Sequence, residues 1–445
     1  MFIFEKISHK PRKMLIEFSV GNYLSFKTKS TLSLAATSIT EHTDTNVFFA
    51  DRHNLLKGAV IYGANASGKS NFIRAMSTMR HLVLQSFDQS STDELDVTPF
   101  LLSTSTEEAP SFFEAIFIAE GVRYRYGFEV DSKKVHAEWL FEAPKNAEKP
   151  LFLRESDGIE VMKTFPEGKD LEDRTRENAL FLAVTDRFNG KIAKMIMRWF
   201  RNFITISGLS HEGYKSVTFG LLADQKTDNR LKLINFYTSL EMGFEAISID
   251  KKPFDPKELP KEMPESVAKQ FLSDLEGGFK IDIKTIHKKY NNEGKIIGHV
   301  EFDLRNQESS GTNKLFNISG PVFNVLNDGG VLIIDELDAS LHPLLTLAVS
   351  KLFNSKRFNP NNAQLIFATH DTNLLNYGNY RRDQIYFVEK DQFGASDIYS
   401  LVEYKEEGKT VRKDRSFEKD YIEGRYGAIP YIGNLSDIVS EWHEK

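Results

Sequence analysis

Residues 58–70 read Gly-Ala-Val-Ile-Tyr-Gly-Ala-Asn-Ala-Ser-Gly-Lys-Ser, and this stretch decides the fold. Its second half, Gly63 to Ser70, fits the phosphate-binding pattern G-x-x-x-x-G-K-[ST]. An apolar run at residues 59–62 precedes the pattern, and a helical pattern follows it. This strand–loop–helix order predicts a loop whose amides, together with the N-terminus of the following helix, face a phosphate.

The residue types in this loop match that chemistry. Gly63 and Gly68 let the backbone approach a ligand closely. Lys69 supplies a positive charge for the outer phosphates, and Ser70 offers its hydroxyl to Mg²⁺. The further candidate contacts to the nucleotide are Asn65, Ser67 and Asn71. The alternative is a Gly-rich turn that binds nothing, which the flanking strand and helix disfavour.

A second apolar run, Val331 to Ile334, ends in two carboxylates, Asp335 and Glu336. Buried parallel strands have this composition, and ligands gather at the carboxyl ends of such strands. We expect Asp335 to hold Mg²⁺ and Glu336 to orient or deprotonate an attacking water. The alternative is a helix N-cap followed by an acid in the first turn.

Composition restricts the class of protein. The 445 residues are 40% hydrophobic and 27% charged, as in soluble globular proteins, and correspond to about three average domains. Because the chain has no cysteine, disulfides, thiol catalysis and zinc–thiolate sites are excluded. No apolar run approaches the length of a membrane span, and the start lacks the apolar core of a secretory signal, so we expect a cytoplasmic protein without a membrane partner. With a net charge of −6, any nucleic-acid surface must be local.

The rest of the chain predicts several elements around this core. Strand patterns begin at Met14, which leaves residues 1–13 as a basic arm or a start-site extension. Residues 112–141 read as an antiparallel meander, residues 250–275 as a Pro-rich excursion and residues 279–304 as a hairpin. The basic face of a helix from Lys191 carries Lys191, Lys194, Arg198 and Arg201. This face is either solvated or contacts a nucleic acid or a partner.

Three further motifs follow in a fixed order. Glu308-Ser309-Ser310-Gly311-Thr312 precedes a helical pattern, and small polar residues at a helix N-terminus make an anion site. Asp338 comes shortly after Glu336, and His370 follows an apolar strand at residues 364–368. Each motif alone is unremarkable, but their joint order is informative.

This order resembles the ATP-binding cassette (ABC) ATPases of the SMC and OLD type. The resemblance implies ATP and Mg²⁺ as cofactors and a head-to-tail dimer, or a higher oligomer, that sandwiches two ATP molecules. It assigns Asp338 to the D-loop and His370 to the switch histidine, which acts with Glu336 in catalysis. The implied signature motif, which contacts the γ-phosphate of ATP held by a second subunit, is Ser309, Ser310, Gly311 and Thr312.

Within this group, the chain is most similar to the RloA/AbiLi-type ATPases of bacterial anti-phage, abortive-infection systems. The stretches that carry the similarity are residues 22–26, 56–59, 62–71, 335–343 and 420–430. It implies a sensor or regulator that controls an effector encoded alongside, of the RloB type with a Toprim-like nuclease fold. We expect this effector in trans, because the chain leaves no room for an appended Toprim nuclease.

The sequence departs from the family pattern at two places. The signature reads Ser-Ser-Gly rather than Ser-Gly-Gly, with Glu308 in place of the usual leucine. No Q-loop glutamine is visible, and Asp186 stands where it is expected, within residues 180–189.

The sequence therefore predicts an α/β protein with an ABC-ATPase head: a RecA-like core sheet, an antiparallel β subdomain and an inserted helical lobe. The predicted lobes of this one discontinuous domain are residues 14–180, 181–300 and 301–445. Three other functions stay open. An SMC-like DNA-repair or chromosome ATPase is disfavoured by the missing coiled coil, a transporter subunit by the Pro-rich excursion, and a scaffold with a structural ATP site by the intact catalytic residues.

Overall fold

The computed structural model describes residues 13–145, 147–223, 229–240, 242–253, 279–376, 378–406 and 408–429. Compactness divides the chain into two units, Met1–Ser210 with Asn324–Lys445, and His211–Phe323. The predictions for residues 1–12, for residues 254–278 of the Pro-rich excursion and for the chain beyond residue 429 lie outside the described residues.

The strands are numbered in chain order. They are β1 (Lys13–Gly21), β2 (Ser30–Ser33), β3 (Val47–Ala50), β4 (His53–Leu56), β5 (Gly58–Tyr62), β6 (Ser111–Ala119), β7 (Val122–Val130), β8 (Val135–Ala143), β9 (Lys149–Glu155), β10 (Gly158–Val161), β11 (Phe203–Ser207), β12 (Ala246–Pro253), β13 (Phe279–Tyr290), β14 (Ile296–Asp303), β15 (Val331–Asp335), β16 (Gln364–Ala368), β17 (Ile385–Lys390), β18 (Ser396–Ser400), β19 (Lys405–Glu406) and β20 (Lys409–Thr410).

The α-helices are numbered in the same way. They are α1 (Thr43–Asn46), α2 (Lys69–Gln85), α3 (Phe181–Arg187), α4 (Lys191–Arg201), α5 (Lys215–Ala223), α6 (Asn229–Ser239), α7 (Leu304–Gln307), α8 (Ser310–Asp328), α9 (Pro343–Asn354), α10 (Asn373–Asn376) and α11 (Phe417–Ile422). Short 3-10 turns lie at Pro166–Gly168, Glu172–Arg174, Glu212–Tyr214 and Arg382–Gln384.

The core of the first unit is a six-stranded sheet in the order β11-β15-β16-β5-β17-β18. The first five strands run parallel, and only β18 is antiparallel. Strands β5 and β16 are buried along their whole length, which explains their near-continuous apolar sequences. Because parallel strands end at the same edge, the residues after β15, β16 and β5 are neighbours at the carboxyl edge of this sheet.

A seven-stranded antiparallel sheet, β10-β9-β8-β7-β6-β1-β2, forms the second layer of this unit. Its apolar side chains share one buried cluster with α2, α3 and α4. Phe72 of α2 packs edge-on against Phe18 of β1, and Trp199 of α4 stacks on Phe117 of β6 with centroids 4.2 Å apart. The helix that begins at the phosphate loop is thus fixed between the two sheets.

The second unit combines α5, α6, α7 and the first part of α8 with a three-stranded antiparallel sheet, β12-β13-β14. Helices α5 and α8 meet closely: the Thr218 hydroxyl donates to Phe316 O at 2.9 Å, and Gly320 N donates to Thr218 Oγ1 at 2.8 Å. A Cβ on Gly320 would lie 2.3 Å from Thr218 N, so only glycine allows this approach.

The predicted α/β class, with a core sheet and an antiparallel β subdomain, is confirmed. The predicted meander is β6–β8, and the predicted hairpin is β13–β14. The inserted unit holds a sheet as well as helices, and α3 and α4 belong to the first unit. The division at residues 180 and 300 stays a prediction. Within the described part of the chain, every helix is too short or too polar to cross a membrane.

Candidate functional site

The phosphate loop connects the end of β5 to the start of α2 and is built for close backbone packing. A Cβ on Gly63 would lie 2.5 Å from Val388 O. Gly68 has a φ of +117°, and a Cβ there would lie 2.4 Å from Ser396 Oγ. Both positions therefore require glycine, for reasons of space and, at Gly68, of backbone conformation.

Two serines far away in the sequence hold this loop in place. The Ser396 hydroxyl donates to Ser67 O at 2.6 Å, and Ser396 N donates to Ser25 O at 2.7 Å. Asn71 Nδ2 donates to Ser25 Oγ at 2.9 Å. Ser25 lies within the family-like stretch at residues 22–26, but no motif marks Ser396, so sequence reasoning missed it.

Lys69 is the buried cation of the loop. Its ammonium donates to Gly63 O at 2.7 Å and to Ala64 O at 3.1 Å. Burial lowers the pKa of Lys69, and the carboxylates of the loop from Asp335 to Asp338 oppose this shift. The ammonium thus rests on two neutral carbonyl oxygens of the phosphate loop.

Asp335 ends β15 beside this lysine. Burial raises the pKa of its carboxyl, against the lowering effects of the Ser70 hydroxyl, which hydrogen-bonds to it, and of Lys69. Its Oδ1 atom is buried and has no hydrogen-bond partner among the described residues. A hydroxyl and a carboxylate oxygen are the ligands that Mg²⁺ prefers, and they fit this ion.

A magnesium ion at this place would take few ligands from the chain. Within the part of the chain that the structure describes, no three His, Asp or Glu side chains cluster as a metal site. Ser70 and Asp335 would therefore supply two ligands, and phosphate oxygens and waters would supply the others. This is the usual way in which Mg²⁺ binds with a nucleotide.

Glu336 follows β15 with a left-handed backbone, at φ 52°, which is uncommon for a residue other than glycine. Gly208, directly after β11, explains how it is held. Gly208 N donates to Asp335 O at 2.7 Å, and a Cβ on Gly208 would lie only 2.1 Å from Glu336 O. The side chain of Glu336 lines the cavity over the loop. Sequence reasoning missed Gly208.

Asp338 and His370 are joined by a direct contact. His370 N donates to Asp338 Oδ2 at 3.1 Å, and Asp338 Oδ1 is buried without a partner among the described residues. Leu337 N donates to Ala368 O at 3.2 Å, which ties the two loops together. The predicted D-loop and switch-histidine segments are therefore hydrogen-bonded to each other at the carboxyl edge.

A cavity of about 860 Å³ collects most of these side chains. It is lined by Ala64, Asn65, Ala66, Ser67, Gly68, Lys69, Ser70, Asn71, Glu336, His370 and Lys390. Gly63, Asp335 and Asp338 are not in this lining. Lys390, at the end of β17, was not predicted, because a single lysine at a strand end carries no sequence signal.

The signature residues lie in the second unit. Ser309 caps α8: Thr312 N donates to Ser309 Oγ at 3.1 Å, and the two hydroxyls are 2.9 Å apart. Ser310 and Gly311 begin the helix. Glu308 is held 2.7 Å from His287 Nε2. The role of this motif toward the ATP of a second subunit stays a prediction.

Two other predicted features lie away from the cavity lining. Asp186, at the expected Q-loop position, is half-buried on α3. The four basic residues of α4 are exposed, and none of them forms an ion pair with a residue that the structure describes. Their contact with a nucleic acid or a partner stays a prediction.

The chain was compared with protein-family models, curated proteins and solved structures. No curated protein matches the chain. Among solved structures, the SMC head domain from Thermotoga maritima is similar, with 13% sequence identity, a TM-score of 0.35 and coverage of 87% of this chain and 98% of that chain. A family model described as "AAA domain, putative AbiEii toxin, Type IV TA system" matches residues 59–376, which is more than half of the chain. The matched range begins in β5 and includes the phosphate loop, Asp335, Glu336 and His370, and the chain belongs to this family of AAA domains.

Proposed function

We propose that this chain is an ABC-type ATPase that binds ATP with Mg²⁺ and hydrolyses it to ADP and phosphate. The observation that carries the proposal is that Lys69, Ser70 and Glu336 line one cavity, and that Asp335 is hydrogen-bonded to Ser70. Each of these groups has a defined task in phosphoryl transfer, and strand order alone brings them together.

The phosphate loop binds and orients the triphosphate. Its amides and the N-terminus of α2 face the phosphates, and Lys69 exchanges its two carbonyl acceptors for phosphate oxygens. Ser70 and Asp335 would hold the metal ion. Mg²⁺, when bound, would neutralise part of the negative charge on the phosphate oxygens.

Glu336 acts on the attacking water. The left-handed backbone of Glu336 and the close approach of Gly208 to its carbonyl oxygen fix the position of the Glu336 backbone, and so the direction of its side chain. The carboxylate then accepts a proton or a hydrogen bond from the water. His370, held through Asp338, lies at the neighbouring strand end and donates to the γ-phosphate. These groups act from side-chain positions that the sheet edge fixes in advance.

The ATPase acts as the sensor or regulator of a bacterial anti-phage defence system. The resemblance to RloA/AbiLi-type ATPases supports this role. The description of the matched family also names a toxin–antitoxin system. In this proposal, Ser309–Thr312 of a partner subunit close over the ATP in a head-to-tail dimer or a higher oligomer. Closure controls an effector encoded alongside, a Toprim-like nuclease of the RloB type, in the cytoplasm.

The catalytic assignment is tested with Glu336→Gln. Glu389→Gln is the matched control, because Glu389 is an exposed carboxylate near the end of β17 that does not line the cavity. We expect ATP turnover to fall by about 100-fold or more in Glu336→Gln, with ATP binding retained, since general-base catalysis contributes this much. Unchanged turnover in this variant would show that the catalytic assignment is wrong.

The regulatory part is tested by co-expression of the chain with the product of the neighbouring gene. We expect the two proteins to co-purify, and their association to differ between the ATP-bound Glu336→Gln variant and the nucleotide-free protein. Loss of this difference, or a monomer that ignores ATP, would contradict control through dimer closure.

A second candidate is an SMC-like ATPase that acts on DNA. The exposed basic face of α4 favours it, because four cations at helical spacing, without an ion-pair partner among the described residues, suit a phosphate backbone. Stimulation of ATP turnover by duplex DNA, abolished when all four residues are changed to serine, would support this candidate over the sensor.

A further inference from the structure

The order of the strands gives the bound nucleotide a direction. The spatial order of groups along the carboxyl edge is Glu336 after β15, His370 after β16, the phosphate loop after β5 and Lys390 at the end of β17. The catalytic side of the loop is therefore the side of β15 and β16. Because the terminal phosphate lies toward Glu336, the sugar and base extend toward Lys390 and the hairpin that follows it.

The turn of this β17–β18 hairpin is rigid. Asp391 Oδ1 accepts hydrogen bonds from Phe393 N at 2.9 Å and Ala395 N at 2.8 Å, and Asp391 N donates to Ala395 O at 2.8 Å. Ser396 ties the end of the turn to Ser67 of the phosphate loop. Phe393 is at the tip, with 70% of its surface exposed.

A second ordered loop meets this turn. Asn22 holds it through Nδ2, which donates to Thr106 O at 2.9 Å, and through Oδ1, which accepts from Phe100 N at 3.0 Å. The loop exposes Leu102 to 70%. A Cβ on Gly394 would lie 2.6 Å from Leu102 Cδ1, so the two loop tips are in contact.

We propose that Phe393, supported by Leu102, is the platform for the base of the bound nucleotide, with Lys390 at the phosphate or sugar between base and loop. This subsite rests on the proposed ATPase function. Two ordered loops that expose large apolar side chains beside a polar cavity leave surface that gains stability when it is covered. A nucleobase covers it with a flat π-face, for which a phenyl ring is a good stacking partner.

The test compares two ligands that share only the phosphates. Isothermal titration calorimetry measures the dissociation constants of ATP and of inorganic tripolyphosphate, in magnesium-containing buffer, for the wild-type chain and Phe393→Ala. We expect ATP to bind about tenfold more weakly to the variant, because stacking on one aromatic ring is lost, and tripolyphosphate to bind as before. Phe393→Trp restores ATP affinity.

The control is Phe49→Ala, which removes another exposed phenyl ring, on β3, with 64% of its surface accessible. This variant binds both ligands like the wild type. If Phe393→Ala binds ATP with wild-type affinity, the platform is refuted. An equal loss for both ligands also refutes it, since the phosphate loop is then disturbed.

Failure of the underlying function gives a different result. If Lys69→Ala binds ATP as tightly as the wild type, the proposed nucleotide site is wrong as a whole. If Lys69→Ala loses both ligands while Phe393→Ala loses neither, the ATPase proposal stands and only the platform falls.

Discussion

The two edges of the six-stranded sheet differ in how several of their buried polar groups are paired. At the amino edge, Gln364 of β16 uses its whole amide: Oε1 accepts from Leu15 N at 2.7 Å, and Nε2 donates to Leu15 O and Leu56 O. Asp383, before β17, accepts from Arg381 Nε and from Thr37 N, both at 2.9 Å. These groups are buried and fully paired.

At the carboxyl edge, four buried oxygens have no hydrogen-bond partner among the described residues. They are Ser67 Oγ, Asp335 Oδ1, Asp338 Oδ1 and Asp371 Oδ2. An unpaired buried polar atom costs stability, so natural structures keep few of them. The carboxyl edge keeps several within one site, and this is the edge at which open α/β sheets bind ligands. We infer that the paired groups stabilise the fold and that the unpaired oxygens are available to a bound ligand.

Two buried lysines, one directly before β5 and one at the start of α2, show the same contrast. Lys57, directly before β5, donates to Asn354 O at 3.1 Å, and burial and the nearby Lys356 lower its pKa to about 8. Lys69 is also buried, but it faces the carboxylates after β15 and a cavity. Of the two lysines, only Lys69 lines the cavity, so only Lys69 is expected to contact a bound polyanion.

The largest expected effect is on the free energy of unfolding, when one carboxylate at each edge is replaced by an amide. Asp383→Asn leaves the buried Arg381 without its counter-charge, and we expect it to lower the free energy of unfolding by about 3 kcal/mol. Asp335→Asn removes a buried charge with an unpaired oxygen, so the nucleotide-free protein keeps its stability or gains up to about 1 kcal/mol. Urea denaturation of the two variants measures both changes. A loss of similar size in both would remove the contrast between the edges.

Next in size is the effect of the two lysines on ATP affinity. Lys69→Ala loses the cation of the phosphate loop, and we expect the dissociation constant of ATP to rise by about 100-fold. Lys57→Ala, the matched control at the buried lysine before β5, changes the dissociation constant by less than about threefold because Lys57 does not line the cavity. Calorimetric titration of both variants decides this. Equal losses of ATP affinity in the two variants would mean that Lys69 acts by stabilising the region around β5 and not by binding phosphate.

A smaller effect is expected at Gly208. The added Cβ of Gly208→Ala must push away Glu336 O, which displaces the carboxylate, and we expect ATP turnover to fall about tenfold with ATP affinity retained. Gly213→Ala is the control, because a Cβ at Gly213 meets nothing within 4 Å. Steady-state kinetics on both variants tests this. Normal turnover in Gly208→Ala would mean that the backbone of Glu336 needs no support from β11.

The smallest effect is the pH dependence that Lys57 creates. Its pKa is about 8 in the folded protein and near the usual 10.5 in the unfolded chain, so the unfolded chain binds more protons between these values. The free energy of unfolding therefore rises with pH in this window, by about 1 kcal/mol from pH 7 to pH 9 for this group. Lys57→Met removes that rise. Denaturation at both pH values checks it, and identical pH profiles for the two proteins would contradict it.

Much of the fold was readable from the sequence because local patterns encode it. The phosphate loop identifies itself by glycine spacing and by its flanking strand and helix. The apolar strand before Asp335 marks a buried parallel strand, and β6 to β8 are strand-like runs separated by short turns at residues 120–121 and 131–134. By contrast, the hairpin β17–β18 was not predicted, because its short runs carry neither a clear turn motif nor a distinctive period.

The residues of the candidate site also fall into two groups, those that the sequence indicates and those that only the structure reveals. The sequence by itself determined that Lys69, Ser70, Asp335 and Glu336 are candidates for one nucleotide site, because their residue types and contexts suit phosphate and metal chemistry. Only the tertiary structure decided that Gly208, Ser396 and Lys390 belong to it. The reason is physical: these three act through contacts set by strand order and register, and such contacts join distant parts of the chain without leaving any local pattern in it.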